Sequence, residues 1–519
     1  MRLAVAVALL PAALIAAPIH YQAVRTQGTG TIDPYASNTA APANAWLNYY
    51  GGHVISNVNV VPVMWGGSVP SQVATGIGPF YTAITDSAHF DWLAEYDTNI
   101  LDWAANQGTH QRIGRGTAAA TITIAPANAA TSIANDQIIA ELQRQITNGH
   151  LPRPTANTIY MVHFPAGMKI SMPDGNGGTA SSCAQFCAFH NTTTATGSIP
   201  EFYYGAIPNV TSDGCEFGCG PVGGGFNNTT SVASHELIEA VTDAEVGLAS
   251  INAAPLAWYD PQGQDGEIGD ICNGAQGTVT SHGQSWTVQQ EWSNSHNACI
   301  TQADSTDFTV VIGPGNRAIA AGQSATYTVT AKSIAGAPGT ISLKADGMAA
   351  GLSGTFAAAQ LSPGQSTTLT VSATSSATNG DNYFTIHGTA GSTQRTAKAE
   401  ANVSGGQAGG GGGGNCPPGT TNIGGVCVPT GCSSNGGGAA WLGAFAAGAS
   451  LLRRRRSQES AGLPAHRPLL ERPVAPGFRS AGNPLPSRHE NQLPDLCPPA
   501  LLLHPQPRHR QAGARSGLP

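Results

Sequence analysis

The break in pattern between residues 303 and 307 constrains this chain more than any other feature. Before it lie six cysteines, Cys183, Cys187, Cys215, Cys219, Cys272 and Cys299, among alternating strand and helix patterns. After it, Asp307–Val403 has no cysteine and alternates apolar with polar residues in short runs. Two folds are therefore expected: an α+β domain over residues 47–303 and an all-β, Ig-like sandwich over 307–403. In the second region the runs Phe308–Ile312, Ala325–Val329, Thr340–Leu343, Thr368–Val371 and Tyr383–Ile386 read as strands, and nothing in it forms a catalytic cluster.

The N-terminus sets the compartment. Met1-Arg2 followed by an apolar run to Ala17 reads as a secretory signal over residues 1–17, against the competing reading of a buried helix. Residues 18–46 are small and polar and read as an exposed leader. Export favours disulfides over a cysteine zinc site, so three are expected, with the pairing open. Net charge is −7, but 11 arginines lie beyond Leu452; the chain before them holds 12 basic against 26 acidic residues and no basic cluster. Nucleic acid is excluded as a partner on that balance.

Within the first domain, Val58–Trp65 reads as a strand that Pro62 assigns to an edge or a bulge. Ser71–Thr85, His89–Tyr96 and Asn135–Thr147 carry helical patterns, while Ala119–Ile124 and Asn157–Phe164 read as strands. A loop-rich segment from Gly167 to Thr230 contains four of the cysteines.

The chemistry is concentrated in Thr230–Asp243. Ala233, Leu237, Ala240 and Val241 fall on one helix face, His235, Glu239 and Thr242 on the other, with Glu236 and Asp243 at its margin. Thr230 or Ser231 is placed to cap the start and Gly247 to end it. His235-Glu236-x-x-Glu239 resembles the H-E-x-x-H of zinc enzymes, in which residues one turn apart bind metal and the glutamate activates water. A carboxylate in place of the second histidine is an acceptable zinc ligand, and it also admits calcium. Glu267 and Asp270, in a Gly-flanked loop ending at Cys272, are the candidates to complete the site. Asp243 and Glu245 are less well placed. The competing reading is a solvated helix face. His163 reads as a core residue, His296 as structural, and His190 as a possible site neighbour.

Residues 404–432 form a Gly-rich linker in which Cys416 and Cys427 bracket a small loop. Residues 433–456 join the apolar stretch Ala439–Leu452 to Arg453–Arg456; that stretch is short beside the roughly 20 residues of a membrane span. Gly431-Cys432, the apolar segment and the arginines resemble the MYXO-CTERM sorting tails of Gram-negative bacteria. That likeness implies cell-surface sorting with cleavage near Cys432, the alternative being a weak membrane anchor. Residues 457–519, rich in Pro, Arg and His, read as a disordered tail.

A second resemblance covers residues 47–301. Tyr49-Tyr50-Gly51-Gly52-His53-Val54-Ile55-Ser56-Asn57-Val58-Asn59-Val60 is similar to the opening motif of the EXORDIUM-like, phosphate-induced family. Cys187-Ala188-Phe189-His190, the Asp213–Cys219 segment, Ser234-His235-Glu236-Leu237, Thr242-Asp243 and Gly269-Asp270-Ile271-Cys272 follow in the same order. The resemblance implies a secreted or wall-associated protein, and plant members are linked to growth signalling. The acidic set His235, Glu236, Glu239, Glu267 and Asp270 looks more like a metallopeptidase.

The reading is an exported or surface-sorted protein with a zincin-like domain, a mixed sheet with an active-site helix. His235 and Glu239 bind zinc, Glu267 or Asp270 completes the site, and Glu236 is the base acting on a protein or peptide substrate. The alternative is a non-catalytic extracellular module that binds surface or wall components or signals.

Overall fold

The computed structural model describes residues 41–407, except 43, 129, 174–177, 213, 217, 221–223, 250 and 261–265, together with the backbone of strands Gln22–Ala23, Thr420–Ile423 and Val426–Pro429. The signal segment, most of the Gly-rich linker, the sorting segment and the tail lie outside the described residues. Among the described residues no helix is long and apolar enough to cross a membrane.

The first domain is built on a mixed sheet. Asn57–Trp65 runs parallel to Thr158–His163, which runs parallel to Phe202–Ile207. Phe186–Thr193 follows antiparallel on that side, with Gln22–Ala23 paired beyond it. These strands read as near-continuous apolar runs because both faces are covered. Val60, Met64, Ile159 and Met161 point into one core, beneath the helices Ser71–Thr85 and Phe226–Thr242. Val61, Val63, Trp65, Tyr160 and Val162 point into the other, with Ile138, Leu142 and Ile146 of the helix Asn135–Thr147. Truncating a wholly buried side chain such as Leu237 is expected to cost about 2–5 kcal/mol.

Two sequence expectations are corrected here. Pro62 does not mark an edge: Asn57–Trp65 is an interior strand, paired on its other side with Gly114–Ala118 and Ile122–Ile124. On that side the register stops at Val60 and resumes at Val63, so Pro62 sits in the gap where no ladder hydrogen bond is required of it. The leader is also shorter than residues 18–46. Ala45 and Trp46 are buried, the Trp46 amide donates to Asp260 Oδ2 at 2.9 Å, and the backbone of Gln22–Ala23 pairs with Phe186–Thr193.

Three disulfides form, Cys183–Cys215, Cys187–Cys219 and Cys272–Cys299. The first two tie the strand Phe186–Thr193 and the turn before it to the approach of the Phe226–Thr242 helix. The third ties the short 3-10 turn Asp270–Cys272 to the strand Ala298–Ile300.

The second domain is a sandwich of two sheets. Asp307–Gly313, Ser324–Ala335, Ser366–Ala373 and Leu352–Phe356 form one. Asn316–Ala320, Thr393–Ser404, Gly380–Ala390, Ile341–Asp346 and Gln360–Leu361 form the other. Alternate residues such as Tyr327, Val329, Leu369, Val371, Phe384 and Ile386 fill the space between them. At the junction of the two domains Asp307 meets His296 of the first at 3.0 Å, while Arg395 braces Asp307 Oδ1 at 2.7 Å and Asp304 Oδ2 of the connecting segment at 2.6 Å. Lys332 Nζ adds an ion pair to Asp97 Oδ2 at 3.1 Å.

Candidate metal centre

The helix that bears His235 runs from Phe226 to Thr242, starting four residues before the expected Thr230. It opens at Gly225, whose φ of 51° suits glycine, and no side chain caps it; Thr230 and Ser231 lie inside the helix. Asp243 terminates it and accepts the Ala257 amide at Oδ1, 2.9 Å. Gly247, expected to end the helix, instead lies where a Cβ would collide with Asn191 Oδ1.

This helix is not amphipathic in the sense of one wet face. Every residue from Asn228 to Thr242 is buried. Its apolar side packs beneath the sheet. Its polar side faces the strand Phe186–Thr193, the Glu267–Asp270 loop and the hairpin strand Gln284–Gln289.

Three segments meet over that polar side. His235 Nε2 stands 3.1 Å from Glu239 Oε2 and 3.7 Å from Asp270 Oδ1. From the strand Phe186–Thr193, His190 Nδ1 stands 3.4 Å from Glu236 Oε2 and 3.5 Å from Glu239 Oε2. Its other nitrogen, Nε2, is 3.3 Å from Glu267 Oε1. All five sequence-derived residues are thus brought together, with His190 as a sixth. Asp270, 9% exposed, is the least enclosed; the other five are 1% exposed or less.

The loop is held to the helix by the site itself. The Asp270 amide donates to Glu239 Oε1 at 3.0 Å. Gly269 permits the approach, since a Cβ there would lie 2.6 Å from His235 Nδ1 and 2.8 Å from Glu239 Oε1. Gln289 Nε2 lies 2.6 Å from His235 Nδ1 and 2.8 Å from the Gly269 carbonyl. With the amide nitrogen inward, as here, Nδ1 could accept only from a neutral ring, whereas the protonated ring that the carboxylates favour carries N–H on both nitrogens and calls for the amide oxygen at Nδ1. With the amide oxygen inward, Nδ1 would donate and Nε2 would be free for a metal.

Burial alone would lower the pKa of both histidines, yet the carboxylates around them hold both well above the usual value. For His235 the main counterweight is Glu239, for His190 it is Glu267. Burial would raise Glu239, but His235 and His190 together pull it down to about 2. In Glu236 burial wins and the pKa rises. Burial also raises Asp243 and Glu291, two further wholly enclosed acids beside the cluster. Without a metal, protons on the imidazoles offset charge that the interior otherwise penalises.

The remaining candidates lie elsewhere. Glu245 pairs with His53 at 2.9 Å. His163 bonds Tyr81 Oη at 3.0 Å, and burial depresses its pKa to about 3, as befits a core residue. His296 joins Asp307 at 3.0 Å beside Asp304, a group with metal-ligand chemistry, but there the Arg395 guanidinium already supplies the cation.

The sequence matches no known protein family and no curated protein. Among solved structures, domains 4 and 5 of the S-layer protein SbsC align with a TM-score of 0.14 and 17% identity, over 26% of this chain and 69% of that one. A longer SbsC chain gives a TM-score of 0.15 and 18% identity over 30% of this chain and 18% of its own. An endo-fucoidan hydrolase of glycoside hydrolase family 107 gives 0.15 and 14% identity, over 24% and 18%. Scores this low carry no argument about fold or function.

Proposed function

We propose that residues 47–303 form a zincin-like, metal-dependent peptidase domain of an exported protein. One observation carries this reading. His235 Nε2, Glu239 Oε2 and Asp270 Oδ1 converge with separations of 3.1 and 3.7 Å from the histidine. Donors sharing a tetrahedral zinc at about 2.1 Å stand about 3.4 Å apart. The mixed sheet with the ligand-bearing helix packed along it supports the zincin-like part, and the His235 imidazole favours zinc over calcium.

A divalent ion at this position supplies polarisation of a peptide carbonyl and a lowered pKa for water. Glu236 directly follows His235, and its Oε1 is buried without a hydrogen-bond partner. It is the group to take a proton from water, and its raised pKa moves it toward the range useful to a general base. His190, 3.4 Å from Glu236 Oε2, orients that carboxylate. A substrate would enter past Asp270, the least enclosed of the six. The three disulfides support an oxidising, extracellular setting; sorting to the surface of a Gram-negative cell through residues 433–456 belongs to the same proposal.

The near-complete burial of the donors favours a second reading, a structural ion in a non-catalytic extracellular binding or signalling module. Metal content and cleavage of an unfolded protein substrate separate the two. For the peptidase, zinc copurifies and Glu236→Gln keeps zinc while losing about 100-fold or more in rate. A zinc-loaded but inert wild-type protein transfers the assignment to the structural reading. A protein that takes up no metal sinks both.

A further inference from the structure

The donors around Glu239 form two groups. His235, Glu239 and Asp270 form one triad whose ligand atoms lie within 4.8 Å of one another, and His190, Glu239 and Glu267 form a second. Glu239 is common to both, with Oε2 3.1 Å from His235 and 3.5 Å from His190. We propose that this centre holds two divalent cations, one in each triad, with the Glu239 carboxylate shared between them.

The inference rests on the metal-centre reading above and adds the second ion. Three observations lead to it. First, an ion that binds donors at about 2.1 Å spans at most about 4.2 Å between opposite ligands, so one ion at His235 and Asp270 does not also serve the far side of His190. One ligand atom each of His190, Glu239 and Glu267 lie within 4.8 Å of one another, with His190 Nε2 3.3 Å from Glu267 Oε1. Second, Glu236, Glu239, Glu267 and Asp270 bring four carboxylates into a nearly closed space, and the ion pairs seen there run to His190 and His235. Buried charge is retained only when compensated. Third, His235 Nε2, His190 Nε2 and Glu236 Oε1 are buried and make no aligned hydrogen bond, the two nitrogens facing carboxylates of different triads at 3.1 and 3.3 Å. A solitary site at His235 accounts for the first of these nitrogens and not for the second.

Shared carboxylates are the usual bridge where two ions act together, and such pairs can hold both the attacking and the leaving oxygen of a hydrolysed bond. In this arrangement Glu236 lies on the His190 side, so the second ion and the proposed base border the same space.

The test is zinc stoichiometry on the disulfide-intact, full-length protein after chelator treatment, by calorimetric titration and elemental analysis. Two equivalents per chain are expected. His190→Ala should retain one and Asp270→Asn should weaken the other, with unchanged disulfide content and thermal unfolding of the metal-free forms as the folding control. Loading the wild-type protein with manganese should give the electron paramagnetic resonance signature of a coupled pair, a readout independent of any variant. One equivalent and an uncoupled manganese spectrum overturn the second ion while leaving the first. No uptake overturns both readings together.

Discussion

The backbone amide of Asp270 donates to Glu239 Oε1 at 3.0 Å, so one candidate ligand docks onto another through the peptide chain rather than through its side chain. The loop and the helix are thereby a single unit. Perturbing the contact surface between them should act on metal affinity and on stability together.

Gly269 is the sharpest place to do so. Gly269→Ala would put a methyl group 2.6 Å from His235 Nδ1 and 2.8 Å from Glu239 Oε1. The loop must withdraw, at a cost of about 1–3 kcal/mol in the metal-free protein. Zinc affinity is expected to fall at least tenfold. Denaturant unfolding and competitive zinc titration read the two effects; an unaltered affinity would mean that the loop contributes no ligand.

On the metal-centre reading, Gln289 positions His235 through its contact with Nδ1. Gln289→Ala should weaken zinc binding by about 10–100-fold, the usual effect of removing the partner of a ligating imidazole. Gln289→Glu should restore most of it, because a carboxylate at that position accepts the Nδ1 proton and fixes the tautomer that frees Nε2. A purely structural role for Gln289 predicts no such rescue.

Metal uptake should be coupled to proton release. His190 and His235 are held well above the ordinary histidine pKa, first against burial and then by Glu267 and Glu239 respectively. Without metal, a raised pKa makes their stabilisation fully present below about pH 6.5 and lost as the pH climbs through the elevated folded values. Zinc competes with those protons, so its affinity should rise with pH across and beyond the same range. Calorimetric titration in buffers of differing ionisation enthalpy measures the protons released.

The junction between the domains has the opposite sign. Burial would raise Asp307, but His296 and Arg395 bring it down to about 2. That depressed pKa contributes stability above the unfolded value near 4, and the contribution disappears as the pH falls toward 2. Its size is about 1–2 kcal/mol. Arg395→Met should therefore lower the unfolding midpoint at neutral pH and make little difference near pH 2, as followed by thermal melts across that range.

The spacing of His235 and Glu239 was legible because it is local: four residues on a helix put two side chains on one face. Asp270 was legible because an acidic, glycine-flanked turn next to a cysteine has few bland uses. Gln289 and Glu291 were not, because each enters the site from a late hairpin whose pairing no local pattern records. His190, suspected as a neighbour, enters the donor set by way of sheet order. The polar stripe on the helix could not by itself decide between its two readings: a stripe facing water and a stripe facing an enclosed acid cluster have the same periodicity. In the sandwich, Thr393–Ser404 escaped notice because its inward positions are mostly alanine, yet it is one of the two longest strands there.

The disulfides give the centre a timetable. His190, His235 and Asp270 come from three segments, and the cross-links that fasten the strand and the loop to their surroundings require an oxidant. Inside a reducing cell the chain carries every ligand without the frame that aligns them. On the proposed reading of an exported protein, metal loading would therefore follow disulfide formation outside the reducing cytoplasm.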